Sequence, residues 1–102
     1  MSDTVSYYYD QTNGQLQTVA IRHADGSYRF VVYDTQSVNS WSAYISDYTS
    51  QFVSIDQFVF YRDGDLVSNI WDTSNGFLLA WSDRHSDGSS YSVNYDTRGT
   101  QI

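Results

Sequence analysis

Asn-Gly and Asp-Gly pairs punctuate the chain, and between them apolar and polar residues alternate in runs of strand length. Both residues of such a pair tolerate positive φ, the backbone shape a tight hairpin needs, so each pair predicts a hairpin turn. Asn13-Gly14 separates a first strand over 4–9 from a second over 15–22, and Asp25-Gly26 separates the second from a third over 27–33. Asn75-Gly76 and Asp87-Gly88 divide 66–71, 77–83 and 89–95 in the same way. Asp63-Gly64 joins a further strand, Phe58 to Arg62, to the run beginning at 66. The pattern predicts an all-β fold, an antiparallel meander of about seven strands.

One stretch, 37–57, has a different period. Trp41, Tyr44, Ile45, Tyr48, Phe52 and Ile55 fall at helical spacing, with Asn39 or Ser40 available as an N-cap. Its Ser, Thr and Tyr are poor helix formers. The spacing predicts a short helix near 40–52, with an extra hairpin as the alternative.

The alternating runs occur twice. Residues 3–36 align without a gap on 65–98 at an offset of 62, with 16 identities in 34 positions. Unrelated segments would share roughly two or three, so the chain carries an internal duplication. It reads as a single domain over 1–102, with repeats 3–36 and 65–98 and a connector over 37–64. On the third strand Val31/Val93 and Tyr33/Tyr95 agree, which predicts that the copies share one hydrophobic layer. The other face carries Tyr28, Phe30 and Val32 in copy one but Ser90, Ser92 and Asn94 in copy two. Copy one's apolar face therefore needs a cover, either the connector or a second subunit. Whether the strands close into a barrel, pack as a sandwich or form part of an oligomeric propeller stays open.

Composition sharpens the picture. Aromatics reach 18%, with ten Tyr, and such half-polar rings suit half-exposed pleated surfaces. The net charge is −7 and all five basic residues are Arg. An acidic chain without a basic stripe repels phosphates, so neither nucleic acid nor an anionic membrane is an expected partner. No apolar run approaches transmembrane length and the first residues do not resemble a signal peptide, which leaves a cytoplasmic or non-classically secreted protein as the expectation. The absence of Cys excludes disulfides and thiolate chemistry.

Arg22-His23-x-Asp25-Gly26 and Arg84-His85-x-Asp87-Gly88 hold both histidines in equivalent turns. A His and an Asp two apart can converge on a small polar ligand. The plainer reading is an Asp that caps its turn, with Arg and His solvated. Two ligands per turn are too few for a closed zinc site, and no metal or cofactor is expected. The pairs Tyr9-Asp10, Tyr33-Asp34, Trp71-Asp72 and Tyr95-Asp96 set a ring beside a carboxylate at strand ends. A sugar can stack on the ring while the acid accepts its hydroxyls, or the ring can close the sheet while Asp starts the turn. No HExxH, GxSxG or phosphate loop occurs, and no carboxylate pair stands out as an acid/base couple, so no catalytic residue is assigned and an enzyme is not expected.

Two resemblances follow from these residues. Tyr8-Tyr9-Asp10 through Asn13-Gly14, then Asp25-Gly26 and Val32-Tyr33-Asp34, resembles a YD repeat, as does Ile70-Trp71-Asp72 through Tyr95-Asp96. That resemblance implies hairpin arrays that build shells around cargo. Phe58 to Asp72, followed by Asn75-Gly76-Phe77, resembles a blade of small fucose-binding β-propeller lectins, which complete their propeller by oligomerising. Where those lectins carry a sugar-gripping Arg and Glu this chain has Val59 and Ser68, a departure from the family's site.

The leading expectation is a non-catalytic, lectin-like carbohydrate-binding module with two similar sites. Its partners would be a glycan or other polar small ligand, and a homo-oligomer would raise avidity. The candidate ligand-binding residues are Arg22, His23 and Asp25; Arg84, His85 and Asp87; and Trp41, Trp71, Asp72 and Trp81. The alternatives are a self-assembling structural β protein, forming a symmetric oligomer or fibre, and a small acidic inhibitor or immunity-type protein.

Overall fold

The computed structural model describes residues 2–96. Eight strands follow one another: β1 (Thr4–Tyr9), β2 (Leu16–Arg22), β3 (Tyr28–Tyr33), β4 (Trp41–Tyr48), β5 (Ser54–Tyr61), β6 (Leu66–Trp71), β7 (Leu78–Arg84) and β8 (Ser90–Asn94). Each pairs antiparallel with the next, in one sheet of order β1 to β8. The sheet is not closed: strands contact only their sequence neighbours, so β1 and β8 are its outer strands and no second layer forms within the described residues. The molecule is accordingly thin, 45 × 38 × 19 Å. Among the described residues no helix is long and apolar enough to cross a membrane.

The helix expected near 40–52 is absent, and a β4–β5 hairpin stands in its place. Ring residues at 41, 44 and 48 fit helical spacing, but cross-strand pairing with β3 and β5 uses both faces of β4 and outweighs that local signal. The β4–β5 turn lacks Gly, and Phe52 adopts φ 61 where equivalent turns place glycine. The extra hairpin that the sequence left as the alternative is what forms, and the missing glycine is why helical spacing took precedence over it.

The duplication is visible in the backbone. β1 and β2 have the same limits as β6 and β7 at the offset of 62, and both pairs shift register at the equivalent place, Tyr8/Tyr9 and Ile70/Trp71. Residues 97 and 98, the end of the second copy, lie outside the described residues.

The shared hydrophobic layer, however, does not exist. β1 and β6 are five strands apart, an odd number, so in a meander they run in opposite directions. Keeping the strand order while reversing direction requires a half-turn about an axis in the sheet plane, and that turn exchanges the faces. The register shows the exchange. One row runs Tyr7–Val19–Val31–Ile45–Phe58–Ser68–Ser82–Ser92, and Val93 belongs instead to the row Ser6–Ala20–Phe30–Ser46–Gln57–Asn69–Trp81 on the opposite face. We call the face bearing Val93 and Phe30 face A, and the face bearing Val31 face B. Side chains thus lie half-buried against cross-strand neighbours on both faces. Among the described residues no apolar side chain is buried, and only Asp10 and Ser46 are.

Candidate functional site

The rims of the sheet are its chemically richest parts. The turns at 23–26, 49–53 and 72–76 share one rim, and those at 10–14, 34–40, 62–64 and 85–88 share the other, because successive strands alternate in direction. Four turns close in one way. The N–H of His23, Thr49, Tyr61 and His85 donates to the carbonyl four residues on, and the N–H of Gly26, Phe52, Gly64 and Gly88 donates back to that first residue. The left-handed fourth residue is the reason for glycine at Gly26, Gly64 and Gly88.

The two Arg-His-x-Asp turns build matching clefts. The first, about 320 Å3, is lined by Thr4, Arg22, His23, Asp25 and Gly26 with Ser2 and Ala24. The second, about 270 Å3, is lined by Leu66, Arg84, His85 and Gly88 with Gly64 and Ser86. In each, histidine Nδ1 lies 3.1 Å from a carboxylate on the neighbouring segment, Asp3 for His23 and Asp65 for His85. These aspartates are themselves equivalent by the duplication. Asp25 and Asp87 cap their turns: each accepts the N–H and, at 2.6 Å, the hydroxyl of a serine two residues on, Ser27 or Ser89. The serine hydroxyl bond, then the N–H, hold both carboxyls below the ordinary value.

The clefts differ at three lining positions, Ser2/Gly64, Thr4/Leu66 and Ala24/Ser86, and at one position just outside the lining. Copy one has Ile21 where copy two has Asp83. Asp83 brings a third ligand-type side chain, and atoms of Asp65, Asp83 and His85 lie within 4.8 Å of one another, the spacing a divalent metal would need. Oδ1 of Asp83 is buried without a hydrogen-bond partner. Burial, then the charge of Asp65, push its carboxyl up, while the Asp65 hydrogen bond raises His85.

The structure brings together Arg22, His23 and Asp25 on one rim and Arg84 and His85 on the other, five strands away, so that the two clusters lie about 30 Å apart. The aromatic candidates join neither cluster. Trp71 and Asp72 sit on the rim of His23, but on β6, four strands from β2. Asp72 caps its own turn through Ser74, at 2.9 Å to the N–H and 2.6 Å to the hydroxyl. Trp81 lies mid-strand edge-on to Tyr91 at 5.8 Å, and Trp41 begins β4 edge-on to Tyr44 at 5.1 Å.

Two other aromatic-acid dipeptides, Tyr9-Asp10 and Tyr33-Asp34, serve the turns. Asp10 accepts from the Thr12 N–H at 2.8 Å, the Thr12 and Thr35 hydroxyls at 2.6 and 2.5 Å, and Gln36 Nε2 at 2.7 Å. These bonds, led by the Thr12 hydroxyl, hold its carboxyl far below the ordinary range. Asp34 accepts the Asn39 N–H at 2.8 Å and Arg62 at 2.9 Å, tying the longest turn of that rim to the turn between β5 and β6.

Sequence reading missed one polar cluster. On face B, Arg29, Asp47 and Asp56 are successive cross-strand partners on β3, β4 and β5. Arg29 binds Asp47 through two nitrogens, at 2.7 and 3.0 Å. Asp56 Oδ1 is buried with no donor, as expected when two carboxylates face each other. Burial, then contact with Asp47, push Asp56 up to about 6, at which point a proton on it can bridge to Asp47. Only the β4 register reveals this triad, and the helical reading of 40–52 concealed that register.

Compared with known proteins, the chain matches no family model, no curated protein and no solved structure.

Proposed function

We propose that the chain is a non-catalytic structural module whose work is self-association through its sheet. One observation carries this reading: an eight-stranded sheet of a single layer, with apolar and aromatic rows on both faces and no buried apolar side chain among the described residues. A domain is ordinarily stabilised by burying one face of each sheet against another layer. Here cross-strand pairs act alone, at roughly 0.2–1 kcal/mol each. A covering layer from another copy adds the missing burial. Sedimentation velocity across a wide concentration range tests the reading. Concentration-dependent oligomers support it, and a monomer at every concentration with an unchanged melting curve removes it.

A second reading has its own observation, the duplicated His–Asp clefts. Two equivalent polar clefts suit a bivalent lectin-like module that takes sugar hydroxyls on Arg, His and Asp. Binding on a glycan array that weakens in His23→Ala and His85→Ala supports this reading; silence across the array, or binding unchanged in both variants, rejects it.

A further inference from the structure

The strands at the middle of the sheet segregate charge by face. All charged residues of β3, β4 and β5, namely Arg29, Asp47 and Asp56, lie on face B, and β6 has none. Across β3 to β6, face A therefore carries no charge, in a chain of net charge −7. Tyr28, Phe30, Val32, Tyr44, Tyr48 and Val59, all half-buried, share it with the uncharged polar residues Ser46, Gln57 and Asn69. Their rings form a continuous surface: Phe52 stacks on Tyr28 at 4.4 Å, Tyr28 lies parallel to Phe30 at 6.2 Å, and Tyr48 meets Phe30 edge-on at 5.7 Å. The β4–β5 connector does not cover this surface. It continues the same sheet, and only Phe52 from its turn touches the rings.

We infer that face A of β3 to β6 is the contact surface of a symmetric homodimer, in which two copies pack face to face as a sandwich. The inference rests on the self-association reading and names its surface and partner. Two arguments select a second copy. The first is charge: a −7 chain meeting its own copy must keep carboxylates apart, and this face does so. A symmetric contact sets the same patch against itself, which an uncharged aromatic surface tolerates and face B, with Asp47 and Asp56, does not. The second is area. The chain exposes 6649 Å2, whereas a compact monomer of its mass exposes about 5,900 Å2. The excess, about 750 Å2, is close to one partner's share of a standard interface, about 800 Å2. About half of the 45 × 38 Å footprint supplies it.

The test uses sedimentation and cross-linking on the full chain. Wild type should sediment as a dimer, and Phe30→Lys, which sets ammonium groups against each other across the two-fold, should raise the dissociation constant at least about 100-fold while Val31→Lys on face B raises it far less. Because the chain has no cysteine, single-cysteine variants give a second readout that does not depend on tolerating a buried lysine. A bifunctional maleimide should join Val59→Cys chains and not Val31→Cys chains. Cross-linking through Val31→Cys instead, or an oligomer indifferent to Phe30→Lys, overturns face A as the contact and leaves self-association standing. A wild type that is monomeric at all concentrations overturns both.

Discussion

Cleft one and cleft two were built from the same turn, and among their differences one changes the charge beside them. Both have the Arg-His-x-Asp-Gly turn, the 3.1 Å histidine–aspartate contact and the serine-capped aspartate. At that position copy one has an apolar Ile21, outside the cleft lining and half-buried beside Arg29 on face B. Copy two sets Asp83 there, on face A, beside a second carboxylate and a histidine. Turn chemistry alone needs neither residue. The shared parts are therefore what the hairpin requires, and the difference marks where the second copy gained electrostatic strain.

Glycine replacements should separate the clefts most strongly. A Cβ on Gly64 would lie 2.7 Å from Cβ of Ser86, one on Gly26 would meet Ser50 at 3.3 Å, and one on Gly88 would meet nothing within 4 Å. All three positions have positive φ, so alanine costs about 1–2 kcal/mol from backbone strain alone. Gly64→Ala should cost about 1 kcal/mol more than Gly88→Ala because the clash with Ser86 adds to it, with Gly26→Ala between them. Urea unfolding of the three variants checks the order, and equal losses would show that the turns do not crowd their neighbours.

Replacing Asp83 should have a smaller effect of opposite sign. Asp83→Ile gives copy two the residue that copy one has at this position and removes an oxygen that has no hydrogen-bond donor. The melting temperature should rise by a few degrees at neutral pH. Asp83 has a raised folded pKa, so its contribution to stability is present in acid and is lost as pH rises through that value. The gain from Asp83→Ile should accordingly vanish in acid.

The smallest expected effects lie in the slope of stability against pH. His85 is raised in the folded state, so the stability it confers is present below its unfolded value of 6.5 and fades as pH rises through the folded pKa. Asp56 acts in a lower window: raised to about 6, it contributes a stability that is lost between roughly pH 4 and pH 6. His85→Gln should flatten the profile above pH 6.5 and Asp56→Asn the profile below 6, each in thermal melts across pH. Asp10, Asp25, Asp34, Asp72 and Asp87, all lowered, set the opposite limit, losing their contribution as pH falls below 4. Unaltered slopes in the variants would mean that neither contact persists in solution.

Much of the fold was legible because hairpin chemistry is local. Asn13-Gly14, Asp25-Gly26 and their copies state where the chain turns, and every strand drawn between them is present. The β4 strand was legible only as the alternative to a helix, since its turn uses Phe52 at a position where only glycine advertises itself. In the candidate sites, the pairing of His23 with Asp3 and of His85 with Asp65 needed two strands in register, although the duplication already held both members at matching positions. The Thr35 and Gln36 donors to Asp10 lie 25 and 26 residues away in sequence, and no spacing rule finds such partners.

By itself the sequence determined the turns, the alternation of side chains and the repeated unit, because backbone sterics and period-two patterning act within a few residues. Tertiary structure decided which face each copy presents. That outcome depends on the number of strands between the copies: an odd separation turns the second unit over, so identical residues such as Val31 and Val93 look out on opposite sides. Parity is a property of the whole sheet and cannot be read from either copy alone.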